Sequence, residues 1–182
     1  LAAAVTVGRL IHAAYLVPET TRTKRRITAT RLAGIAAGLG ALAGAAGAVL
    51  GMADLIGIPL SDPSFGQQFT TFAWRIEPTR VALITAGVAS LISVVALVVT
   101  SRAAMAWLSA LSVLGLLPLA LAGHSAGATD HSTAVNALAI HLVAVTVWVG
   151  GLLALALLRP MLGGDLAATA GRFSVLAGWC FA

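Results

Sequence analysis

Three of the four histidines in this sequence, His124, His131 and His141, fall within eighteen residues of one another. Imidazole nitrogen is a ligand for copper, zinc, nickel or iron, so the cluster points to metal binding without choosing the metal. His141 lies inside an apolar run, about 10 Å from its start at a helical rise of 1.5 Å per residue. An ionisable group at that depth in a membrane is expensive and normally faces a bundle interior or a wet cavity. At helical spacing Trp148 falls almost directly below His141, and Ala134, Ala137 and Ala144 leave that face with little bulk. His124 and His131 flank the turn above it. The plainer alternative is that the turn histidines are solvated and that His141 is hydrogen-bonded to a neighbour; His131, in a Gly/Ser/Thr-rich stretch beside Asp130, is the weakest of the three as a ligand.

His12 is separate, in the half of its own apolar run that faces away from the cluster. Arg9, one turn earlier, is a costly charge that must point into the bundle or snorkel towards the interface. A bis-histidine haem would need two histidines at similar depth, and His12 and His141 lie in opposite halves. Among other chemistries, the sequence carries no Gly-rich phosphate loop, nucleophile elbow or HExxH pair. The single cysteine, Cys180, excludes an internal disulfide and a multi-cysteine metal cluster.

The elements that must position these residues follow from hydropathy. With 59% hydrophobic and 9% charged residues, and a mean hydropathy of +0.99, this apolar surface cannot be hidden in one water-soluble core and must face lipid. Uncharged runs at 32–53, 81–100, 103–122 and 132–158 are long enough to cross a bilayer, and incomplete spans are expected at 1–17, closed by Pro18, and from 173 to the end. The expected class is therefore an all-α, polytopic transmembrane bundle of about six spans, forming a single domain that is part of a longer chain.

The formal charge of +5 does not point to nucleic acid, because most of the basic residues sit in short connections. Arg22, Lys24, Arg25, Arg26 and Arg31, then Arg102, then Arg159 and Arg172 all fall in odd-numbered connections, which share one side in a helix-by-helix zigzag. Basic residues resist translocation, so loops 18–31, 101–102 and 159–172 are expected to be cytoplasmic, and 54–80 and 123–131 extracytoplasmic. The stretch 54–80, with Phe65, Phe69, Phe72 and Trp74 among turn residues, reads as an interfacial loop carrying an aromatic belt. The second helix is crowded with Gly34, Gly38, Gly40, Gly44, Gly47 and Gly51, a pattern for close helix packing.

The run Gly123-His124-Ser125-Ala126-Gly127, then His131, then His141 followed by Trp148, Gly150 and Gly151, resembles the copper resistance D (CopD/YcnJ) family of membrane proteins, in which a Gly-His turn precedes a His-x6-Trp-x-Gly-Gly helix. The stretch from Phe69 to Val81 is also similar to that family's outer loop, so the resemblance extends from about Phe69 to Arg159. It implies copper movement across or into the cytoplasmic membrane, beside an extracytoplasmic copper-binding partner. It makes His124 and His141 the copper contacts, with Trp148, Gly150 and Gly151 shaping the packing below. It is also compatible with the amino-terminal part of a fusion to a cytochrome c oxidase assembly domain. One departure is that Met52, Met105 and Met161 are scattered over different spans and sides, so no thioether ladder for copper(I) is expected.

The expected function is copper handling, meaning transport, resistance or homeostasis, at the cell membrane without a catalysed reaction. Copper would be captured by His124 with His131 and passed inward to His141. The alternative is a non-transporting assembly or scaffold subunit of a respiratory complex such as cytochrome c oxidase, docked through the Gly-rich second helix.

Overall fold

A computed structural model describes residues 1–16, 23–121 and 131–180. All regular structure among them is helical: α1 (Ala2–Ile11), α2 (Thr23–Ile56), α3 (Phe65–Phe72), α4 (Glu77–Val98), α5 (Arg102–Leu114), α6 (Leu117–Leu121), α7 (His131–Leu162) and α8 (Leu166–Trp179). Past Ile11 the first helix widens into a π-helical stretch, His12–Leu16. Four helical stretches, Lys24–Ile56, Glu77–Val98, Arg102–Leu119 and one starting at Val135, are long and apolar enough to cross a bilayer, with Ala2–Leu16 a shorter apolar helix. Leu39, Leu42, Val94, Val98, Ile140 and Trp179 are among many large apolar side chains left exposed, which a bilayer tolerates and water does not. The protein is an all-α membrane bundle.

Local chemistry sets several helix ends. α2 stops at Gly57, whose φ of 68° suits a residue without a Cβ; its N–H and that of Ile58 donate to Asp54 and Ala53 at 3.3 and 3.2 Å, the paired bonds of a Schellman motif. Glu77 and Pro78 begin α4, where a missing N–H costs nothing and a carboxylate complements the helix dipole. The Ser101 hydroxyl caps α5 by accepting from the Ala104 N–H at 3.2 Å.

Several boundaries differ from the hydropathy reading. α2 begins at Thr23, because Lys24, Arg25, Arg26 and Arg31 are good helix formers that extend the apolar span beyond its uncharged core. The run 103–122 breaks at Gly115 and Leu116, since Pro118 has no N–H to give the carbonyl of Leu114, four residues earlier, and its ring clashes with that carbonyl. The connection expected at 159–172 is mostly helix. Arg159 lies in α7 and Arg172 in α8, and only a short 3-10 turn, Gly163–Asp165, separates them. The stretch 54–80 contains the short helix α3, started by Asp62, whose Oδ1 accepts from the Ser64 N–H at 2.8 Å and from its hydroxyl at 2.7 Å.

The helices alternate in direction. Gly34, Gly38 and Gly44 of α2 face Ala96 and Ser93, Ser93, and Ala86 of α4; residue numbers rise on one helix as they fall on the other, so the pair is antiparallel. α1 runs parallel to α7, with Gly8 against Gly150 and Ala13 and Ala14 clustered with Ala154, Leu158 and Leu162. It runs antiparallel to α5, with Leu10 clustered with Leu108 and Ala14 bonded to Arg102. This zigzag puts the connections after α1, α4 and α7 at one end of the bundle, as the distribution of basic residues requires. α1 is central: Val7, Leu10, Ala13 and Ala14 are almost wholly enclosed.

Candidate functional site

α7 carries two of the three histidines singled out by the sequence. His131 is its first residue, and nothing further is described of that side chain; His124 lies outside the described residues. Ten residues of helix separate His131 from His141, about 15 Å along the axis.

His141 is exposed on α7. Gly150 is level with Gly8, so His141 sits about 13 Å further along α7 than this crossing. Ala137 and Val145, close to it on the same helix, are exposed too. Among the described residues no group of three or more His, Cys, Asp or Glu side chains could hold a metal ion.

Gly150 and Gly151 have a definite role in the packing. A Cβ on Gly150 would collide with the Ala4 carbonyl, and one on Gly8 with the Gly150 carbonyl, so α1 and α7 cross backbone against backbone. A Cβ on Gly151 would enter the Phe173 ring of α8. That ring lies 5.8 Å from the His12 imidazole, tilted by 32°. The Gly-Gly pair therefore seats α1 and α8 around His12. It lies below His141, as expected, but the histidine it packs near is the one on α1.

The buried polar groups of the bundle gather there. His12 is 0% and Arg9 7% exposed. The His12 Nδ1 lies 2.8 Å from the Gly8 carbonyl, an oxygen that can only accept, so Nδ1 carries the proton and Nε2 presents a lone pair. Among the described residues Nε2 has no partner, nor do Nε and Nη1 of Arg9. Arg9 thus points into the bundle, as its cost in lipid demands, and meets no carboxylate among the described residues. Taking Gly8 and Gly150 as level, His12 lies about 20 Å from His141 along the bundle, so the two cannot be joined by one metal or haem. The spacing Arg9-x-x-His12 signals a shared face; that this face would be fully enclosed depends on α8, which hydropathy alone placed too late in the chain.

Two further features lie nearby. A cavity of about 90 Å³ between α1, α2, α4 and α5 is lined by Thr6, Thr85 and Ser112 among apolar residues. Met105 is buried in the cluster formed by Ala13, Ala14, Ala29 and Ala154, with Met161 packed against its edge. These two methionines are therefore not scattered: the alternating helix directions bring them to the same end of the bundle.

No family model matches this chain, and neither a curated protein nor a solved structure matches it.

Proposed function

We propose that this chain is part of a copper-handling protein of the cell membrane, related to the copper resistance D family, that catalyses no chemical reaction. The observation that supports this reading is that His131 and His141 stand on one helix, α7, with His141 about 15 Å further along its axis. Capture by His124 with His131 would precede transfer to His141. Imidazole also accepts zinc, and the choice of copper rests on the Gly-His and His-x6-Trp-x-Gly-Gly resemblance. In this reading the ends carrying Arg102 and Arg172 are cytoplasmic, and α3 and the start of α7 face outward, towards an extracytoplasmic copper-binding partner. The scaffold alternative would have to dock through the part of α2 around Gly47 and Gly51, which have nothing within 4 Å, because Gly34, Gly38 and Gly44 are already packed against α4.

Metal content by mass spectrometry tests the proposal, on detergent-purified full-length protein challenged with copper and zinc. Copper bound by the parent and lost in the His124→Ala, His141→Ala double variant is the expected result. Equal copper in both, or none in either, would sink it.

A further inference from the structure

Among the described residues, α1 carries three buried side-chain nitrogens without a partner, and the α7 histidines do not explain them. Arg9 and His12 are three residues apart on one helix, neighbours on its surface with Cβ atoms roughly 5–6 Å apart. Both are more than nine-tenths buried, and three of their nitrogen atoms have no partner. A buried guanidinium cannot shed its charge, so it needs an acceptor, preferably an anionic one. His12 needs the opposite: with Nδ1 committed to Gly8, its free Nε2 needs a donor. A metal cation would satisfy Nε2 but would stand beside the fixed positive charge of Arg9. The group that satisfies both at once is an oxyanion that still carries a proton, its oxygen facing Arg9 and its O–H donating to His12.

The backbone supports the same assignment: the helix changes from α to π geometry at His12, a distortion found often at functional sites.

We propose that Arg9 and His12 form an internal binding site for a small, singly protonated oxyanion of the bicarbonate or hydrogen phosphate type, separate from any copper path on α7. The proposal does not rest on the copper reading. Copper content measured on the same samples should be unaffected by changes at Arg9.

The test is thermal unfolding of the purified full chain at constant ionic strength, titrated with inorganic phosphate or bicarbonate and compared with chloride and sulfate. A saturable rise in Tm of at least about 3 °C with phosphate or bicarbonate, larger than with sulfate and absent with chloride, is expected for a site filled well above its Kd. Arg9→Gln should abolish the rise, and His12→Leu should reduce the phosphate response to that of sulfate. Should Arg9→Gln fail to fold, Arg9→Lys, which keeps the charge and loses the guanidinium donors, should still weaken the response. No saturable response in the parent, an unchanged one in the Arg9 variants, or stabilisation by added phosphatidylglycerol but by neither free ion would overturn the assignment.

Discussion

Gly8 of α1 and Gly150 of α7 meet backbone to backbone, so closely that neither position has room for a Cβ. Their contact fixes how deep α1 sits in the bundle, and with it the positions of Arg9 and His12 on the turn that follows. Gly150→Ala should therefore destabilise the protein by about 1–3 kcal/mol, as overpacking does, or roughly 2–4 °C in Tm for each kcal/mol in a chain of this size. Gly164, which has open space around it, is the control. An unchanged Tm for Gly150→Ala beside an equally unchanged Gly164→Ala would contradict the crossing.

Gly151 and Phe173 are coupled in the same way. An alanine at 151 collides with the Phe173 ring, and Phe173→Leu removes the obstructing atoms. The double variant should lose less stability than the two single losses combined, with a coupling of about 0.5–3 kcal/mol. Simple additivity would mean that the two side chains do not touch.

The glycines of α2 divide into two groups. A Cβ on Gly38 would come within 2.9 Å of the Ser93 hydroxyl, whereas Gly47 has nothing within 4 Å. Gly38→Leu should lower Tm in the isolated chain, while Gly47→Leu should leave it within about 1 kcal/mol of the parent. Loss of association with a respiratory complex in Gly47→Leu, at unchanged stability and copper content, would move the functional assignment to the scaffold alternative.

Arg102 closes the end of α1 by donating to the Ala14 carbonyl at 2.7 Å, a cation placed where a helix C-terminus carries negative charge. Arg102→Ala should cost roughly 1–2 kcal/mol. Arg102→Lys should recover only part of this, because a point charge keeps the dipole interaction and loses the guanidinium geometry. Full recovery by lysine, read from the Tm of the three proteins, would reduce the contact to charge alone.

Asp62 offers a prediction in pH. The Ser64 hydroxyl and N–H hold its carboxyl below the ordinary value of 3.8, so the ionised form is favoured in the fold. The turn that starts α3 is then fully formed above that ordinary value and is lost as pH falls through the lowered one. Hydrogen exchange at the Ser64 amide should stay slow at pH 5 and accelerate well below pH 4, whereas Asp62→Ala should exchange fast throughout. Slow exchange at Ser64 in Asp62→Ala at pH 5 would remove the carboxylate from the cap.

The sequence by itself determined the class of protein, an all-α bundle whose longest apolar runs can cross a bilayer. This depends on hydrophobic length, a local quantity. It also marked Arg9 as a charge that must either enter the bundle or snorkel to the interface, and the structure buries it. Which histidine would be enclosed was not local. His141 and His12 both sit in apolar helices, and their difference arises because α1 crosses α7 at Gly150 and α8 folds back to lay Phe173 against His12. The relative depth of two helices is set by where their backbones can approach, and only the assembled bundle decides which pair of glycines finds that contact. The same registration brought Met105 and Met161 to one cluster from spans far apart in the chain.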